Sequence, residues 1–305
     1  MASEAPEILY HYCSLETLSK IVGDIMETRR IKRTTKSSAG KKTKVKSPKM
    51  ISRIQMTSYH HLNDPKESLM IPSLYDGVCY EKYFEKILDN SKTFVSCFSA
   101  QRDNLNMWRS YAHDGRGVCI GFDSSKLNGV IKRIKDDQSI DQTCCQVVLS
   151  SIKYVGENEQ NDILEDGIGR LIFSDLKNPE SLENKSEKQL LDKAIECWSI
   201  KSSDYELEQE WRLIATFDKT YFQKNFLDTI LSGKIRGNKI SNFDLQYRFH
   251  EDSMTERLFL RLDSKCIKEV ILGPKCSALK SEIERYLRLH FNENVDVSES
   301  KKKYR

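Results

Sequence analysis

Residues 206–217 read ELEQEWRLIATF. Successive side chains of a β-strand alternate between faces, so a strand here places Glu206, Glu208, Glu210 and Arg212 on one face and Leu207, Gln209, Trp211 and Leu213 on the other. Working outward, ILYHYC (8–13), MISRIQMTSY (50–59), KTFVSCFSA (92–100), VCIGFD (118–123), QVVLSSIKYV (146–155), RLFLRLD (257–263) and IKEVILGP (267–274) also read as strands. Helical periodicity is carried by LETLSKIVGDIM (15–26) behind an N-cap at Ser14, by YEKYFEKILDN (80–90), and by the start of DNLNMWRSYAHDGRG (103–117). It returns in LEDGIGRLIFSDL (164–176) and EKQLLDKAIECWSI (187–200), and in a closing amphipathic helix with Leu279, Ile283, Leu287 and Phe291 four apart. Strands outnumber clean strand–helix–strand units, so the expected class is α+β, not a doubly wound parallel sheet.

The chain has 305 residues, 38% hydrophobic and 31% charged, enough to bury a substantial core as one large domain or two packed halves. No stretch approaches the roughly 18 apolar residues of a membrane span, and MASEAPEILYHY lacks the pattern of a signal peptide, so a cytoplasmic protein is expected. Nine cysteines without a CxxC pair are no disulfide framework; Cys97 and Cys119 read as small core residues, and no metal is assigned. The net charge of +4 hides an asymmetry: residues 29–49 hold ten Lys or Arg and no acid, and residues 301–305 hold four more, leaving about −10 on the rest. That balance argues against a protein wrapped all round by nucleic acid. The insert at 29–50 is expected to be a flexible basic loop, and 296–305 a disordered basic tail.

Several residues can carry chemistry. Glu208 and Glu210, on one strand face, lie close enough to couple; such a pair can stabilise a developing cation, as cleavage of a glycosidic bond requires, or can be a solvated charged face beside Arg212. His11 can donate to a ribose hydroxyl or satisfy a backbone carbonyl. Trp108 and Tyr111, one helical turn apart, can stack on a nicotinamide or a base, or fill a core. Asn63, Asp64 and Glu67 can reach ligand hydroxyls, or simply form a turn and a helix start. There is no Walker A loop, GxGxxG, HExxH or GxSxG, so the usual kinase, dehydrogenase and hydrolase readings lose support.

Seven motifs in order, LYHY-x-S-L, LNDP-x-E, CFS, MW-x-x-Y, G-x-CIGFD, E-x-E-WR and V-x-LGP, resemble the signatures of a bacterial domain-of-unknown-function family related to ADP-ribosyltransferases, over roughly residues 8 to 276. The resemblance implies one domain over 1–295 with a split, mostly antiparallel sheet, flanking helices and NAD as co-substrate. It implies Glu210 as the catalytic carboxylate and Glu208 as the group that orients or deprotonates the acceptor, or the reverse. His11, Tyr12, Ser99, Asn63, Asp64 and either Trp108 or Tyr111 would contact NAD.

The basic insert departs from the compact link expected of relatives. Its Arg29, Arg30, Lys32, Arg33, Lys41 and Lys42 are candidates to recruit a nucleic-acid or protein acceptor, unless the loop is merely solvated. The implied activity is an NAD-consuming ADP-ribosyltransferase or NAD glycohydrolase, a toxin or anti-phage effector, with a partner protein as candidate restraint. The alternatives are a non-catalytic nucleotide or nucleic-acid binding module, and a metal-dependent nuclease using acids such as Asp64, Glu67 and Glu208.

Overall fold

The computed structural model describes residues 4–22, 52–58, 87, 89–156, 186–227, 242–249, 254–290 and 295–303. The basic insert with Arg29, Arg30, Lys32, Arg33, Lys41 and Lys42, the turn with Asn63, Asp64 and Glu67, and the segment 164–176 lie outside the described residues. The strands are β1 (Ile8–Cys13), β2 (Ser52–Ser58), β3 (Ser91–Ser99), β4 (Val118–Asp123), β5 (Cys145–Ser151), β6 (Lys153–Val155), β7 (Ile200–Ser202), β8 (Glu210–Asp218), β9 (Phe243–Phe249), β10 (Met254–Leu262), β11 (Ile267–Leu272) and β12 (Asp296–Glu299). The α-helices are α1 (Leu15–Val22), α2 (Leu105–Tyr111), α3 (Ser124–Lys135), α4 (Glu187–Cys197), α5 (Lys219–Phe222) and α6 (Lys280–His290). The class is α+β with mostly antiparallel pairing, as expected. Among the described residues no helix is long and apolar enough to cross a membrane.

The chain divides into two compact units that interleave along the sequence. The first takes Met1–Ala5, Met56–Ala100 and Asn128–Leu260; the second takes Pro6–Gln55, Gln101–Leu127 and Arg261–Arg305.

In the first unit β8 is central. It pairs antiparallel with β3, from Ser91↔Asp218 to Ser99↔Glu210, and with β5, from Cys145↔Phe217 to Ser151↔Trp211. Every residue from Glu210 to Phe217 is buried, so both faces of β8 are covered and any charge it carries must be paired inside the protein. Beside it Phe94, Phe217, Phe222, Phe226 and Phe243 form an aromatic core with ring centroids 4.7–6.4 Å apart. β9 and β10 pair antiparallel. The run QVVLSSIKYV, expected as one strand, breaks at Ile152, whose N–H donates to the Glu210 carbonyl at 2.9 Å. Beyond the break, β6 turns away to pair in parallel with β7, setting Tyr154 opposite Lys201.

In the second unit the strand order is β12-β11-β4-β1, with β1/β4 and β4/β11 antiparallel and β11/β12 parallel. Ser14 caps α1 as expected, its Oγ accepting from the Thr17 N–H at 3.1 Å. Asn104 caps α2, accepting from the N–H groups of Asn106 and Met107. Tyr10, Tyr12, Met107, Trp108, Ala112, Cys119 and Ile271 form the core between α2 and the sheet. At Gly273 a Cβ would lie 2.3 Å from the Gly115 carbonyl oxygen, so the turn after β11 closes only on glycine. Helix α6 buries Ile283 and Leu287, whereas Leu279 precedes its first residue and is 62% exposed.

The tail is a correction. Instead of being disordered from residue 296, the chain forms β12 against β11, buries Val297, and is held by further hydrogen bonds at Ser300, Lys301 and Lys302. Parallel backbone pairing satisfies amide groups that a free terminus would leave to water.

Candidate functional site

The expected strand face carrying Glu206, Glu208, Glu210 and Arg212 does not form. Residues Ser203–Glu208 wind into a 3₁₀ helix, with the Ser202 Oγ accepting from the Asp204 N–H at 3.2 Å. Gln209 then takes a left-handed conformation (φ 45°, ψ 54°), and β8 begins at Glu210. Two bonds hold this break: Ser99 Oγ donates to the Glu208 carbonyl at 2.6 Å, and the Ala100 N–H donates to the Gln209 carbonyl at 3.0 Å. Of the four residues only Glu210 and Arg212 share a strand face.

Glu208 and Glu210 are nonetheless brought together, by a lysine. Lys201 Nζ donates to Glu208 Oε2 at 2.8 Å and to Glu210 Oε2 at 3.0 Å, and it lies 4.4 Å from the centroid of the Tyr205 ring. Arg212 completes the set, donating from Nε to Glu210 Oε1 at 2.7 Å and from Nη2 to Oε2 at 3.1 Å, a two-pronged carboxylate grip. Its Nη1 donates at 3.0 Å to the carbonyl of Trp198 at the C-terminal end of α4, where the helix dipole favours a cation. Tyr154 accepts from the Glu210 N–H at 2.6 Å, and the Cys97 thiol bonds the Glu210 carboxylate.

Two carboxylates and two cations thus make a set that is neutral when all four are ionised. Burial works to raise the Glu210 pKa, but the charges and hydrogen bonds of Arg212 and Lys201 outweigh it and hold the carboxyl at about 2. Burial pushes the Tyr154 phenol up to about 12, so it stays a neutral partner. Glu210, 4% exposed with both oxygens occupied, is a fixed anion and no proton acceptor near neutral pH. Glu208 differs: its side chain is 15% exposed, and it brings carboxylate charge to the surface end of the cluster.

The remaining candidates divide between the units. Ser99 joins the cluster in the first unit through the Glu208 backbone, its side chain fully buried. His11, Tyr12, Trp108 and Tyr111 belong to the second unit. His11 lies half-buried in β1 opposite Ile120. The Tyr12 hydroxyl donates to the Gln101 carbonyl at 2.8 Å and accepts from the N–H groups of Asp103 and Asn104 at 2.9 Å, bracing the turn into α2. Trp108 has no exposed surface; it meets Tyr12 edge to face at 4.9 Å and donates from Nε1 to Asp103 at 2.7 Å. It fills the core instead of offering a stacking face. Tyr111 packs at the margin of that core, partly buried.

Sequence reasoning missed Lys201, Tyr154 and Cys97. A lysine directly after Trp198-Ser199-Ile200, two large apolar residues around a serine, was the available signal, since a lysine in a buried run needs an internal anion. Cys97, expected as a small core residue, is a partly buried free thiol that also bonds Glu210. Among the described residues no group of three or more His, Cys, Asp or Glu is placed to hold a metal ion.

The left-handed Gln209 gives a direct test of this local geometry. Gln209→Val is expected to lower unfolding stability by about 1–2 kcal/mol, because a β-branched side chain is strained at positive φ. Gln209→Gly should stay within about 1 kcal/mol of wild type, since relief of strain offsets the entropy glycine adds to the unfolded chain. Equal stabilities for the two variants in urea titration would mean that the turn is not held left-handed.

No curated protein and no solved structure matches the chain. Residues 107–213, a span that begins within α2 and takes in β4, β5, β7 and the Lys201–Glu208–Glu210–Arg212 cluster, match the model of a family described as protein of unknown function (DUF2971).

Proposed function

We propose that the protein consumes NAD as an ADP-ribosyltransferase, with NAD glycohydrolysis as the outcome when water replaces the acceptor. On this reading the antiparallel strands β3, β8 and β5 belong to a split sheet of the ADP-ribosyltransferase type. The observation that carries the proposal is the pair of carboxylates gathered on Lys201, one buried and charged, the other partly exposed. In the reaction the bond from the ribose anomeric carbon to the nicotinamide nitrogen breaks, and nicotinamide leaves with the bonding electrons. The resulting oxocarbenium-like cation is captured by an acceptor hydroxyl, amine or water, which gives up a proton. A carboxylate that solvent still reaches can counter the cation and accept that proton. We assign this role to Glu208, one of the two orders that the resemblance allows, and make Glu210 the positioning residue whose charge holds Lys201 and thereby Glu208.

A second reading, a nucleotide-binding module without catalysis, is favoured by one feature: both oxygens of Glu210 are already engaged by Arg212 and Lys201. The test separates the two. Purified protein is incubated with NAD labelled on the adenylate, with and without DNA, RNA and cell lysate, and free nicotinamide is measured. Turnover that falls about 10²–10³-fold in Glu208→Gln, at an unchanged melting temperature, supports the enzyme. Label on a macromolecule identifies the transferase, and nicotinamide alone the glycohydrolase. Absence of turnover in every arm, with NAD still bound, establishes the binding module.

A further inference from the structure

Three consecutive lysines, Lys301, Lys302 and Lys303, follow β12 and have exposed side chains. A basic run in such a position is ordinarily mobile. Here its backbone is tied down through one carboxylate. Ser300 Oγ donates to Asp103 Oδ1 at 2.5 Å, and the Lys301 N–H donates to Asp103 Oδ2 at 2.9 Å. The Lys302 N–H donates to Ser300 Oγ at 3.1 Å, and the Ser300 N–H to the Leu272 carbonyl at 2.8 Å. Asp103 is itself fixed: it sits at φ 80°, its N–H donates to Tyr12, and its carboxylate accepts from Trp108 Nε1. Aspartate tolerates left-handed backbone better than most residues, and here the bonds to Tyr12 and Trp108 hold it there. A buried tryptophan and tyrosine therefore set the position of the chain that presents the lysines.

We propose that this anchored lysine run is a docking surface for the phosphate backbone of a nucleic acid. Ordering the backbone at Ser300, Lys301 and Lys302 removes part of the ordering cost of binding, a gain for a partner whose charges recur at intervals along a strand. A fluid anionic bilayer has no such spacing to match, and its adsorption rests on larger basic clusters or on inserted apolar groups. The proposal is independent of NAD turnover.

The test measures binding of the full chain to a fluorescein-labelled single-stranded DNA of about 20 nucleotides by anisotropy across a salt series. Lys301→Gln/Lys302→Gln/Lys303→Gln, all at exposed positions, should keep the wild-type melting temperature and weaken binding about tenfold. Its plot of log affinity against log salt should lose about 2 in slope, as expected for three released phosphate contacts on a single strand. Ser300→Ala keeps every charge but removes two of the four anchoring hydrogen bonds, those of the hydroxyl, and should weaken binding about threefold. Affinity and slope unchanged in the triple variant would overturn the proposal by assigning binding to other basic residues. Loss of binding to phosphatidylserine vesicles in the triple variant, with DNA binding intact, would overturn it in favour of a membrane surface. Wild-type affinity in Ser300→Ala, with the triple variant impaired, would reduce the run to unanchored charge.

Discussion

Arg212→Met is expected to destabilise the protein by about 3–5 kcal/mol, because it leaves the Glu210 carboxylate buried with Lys201 as its remaining cationic partner. Adding Glu210→Leu to the same chain should recover most of that loss. Two apolar side chains of similar volume need no desolvated charge to be countered, and buried ion pairs replaced in this way are often neutral in stability. The acid limb of the stability curve gives a second readout. The Glu210 carboxyl titrates at about 2 in the folded chain against 4.5 ordinarily, so its contribution is fully present above about pH 4.5 and is lost as pH falls toward 2. A shift of that size corresponds to on the order of 3 kcal/mol. The double variant should show a correspondingly flatter loss of stability over this range. Urea titrations at pH 7 and pH 3 check both points, and a loss below about 1 kcal/mol in Arg212→Met would mean that water reaches the pair.

Trp108→Ala should also cost about 3–5 kcal/mol, since a fully buried indole is removed from a core that cannot collapse around the space. Trp108→Phe keeps much of the volume but loses the indole N–H that Asp103 accepts, and should cost about 1–3 kcal/mol. These two variants also decide between the roles considered for this residue. A core tryptophan lowers the melting temperature in proportion to the lost packing, and nucleotide affinity changes only as the folded fraction changes. A nicotinamide contact would instead lose NAD affinity in Trp108→Phe while the melting temperature stayed constant.

The strands of the sheet were readable because their apolar, β-branched and aromatic runs are long enough to have no competing period: ILYHYC, KTFVSCFSA and VCIGFD fall on β1, β3 and β4. The candidate site was half readable. Glu210 and Arg212 lie on one face because the two-residue period holds within β8, but the period stops one residue earlier. Gln209 carries no mark of its left-handed backbone, which glycine or asparagine would have signalled; the break is imposed by Ser99 and Ala100 at the end of the neighbouring strand β3. Tyr154 was hidden for a related reason. QVVLSSIKYV has one continuous strand pattern, and the register switch at Ile152 depends on a carbonyl 58 positions later in the chain, that of Glu210. Likewise β12 was read as tail because VSES has neither length nor hydrophobic pattern; its partner β11 supplies what local sequence lacks.

The interleaved second unit has a consequence for synthesis. β4 holds β1 on one edge and β11 on the other, yet roughly 140 residues separate Asp123 from Ile267. At translation rates of about 5–20 residues per second, β1 and β4 leave the ribosome roughly 7–30 s before β11 is made. Throughout that interval the nascent chain carries an open strand edge able to template contacts with other chains. The exposure of that edge ends when residues 267–272 emerge, so the pace of translation across the first unit sets how long newly made copies remain vulnerable to one another.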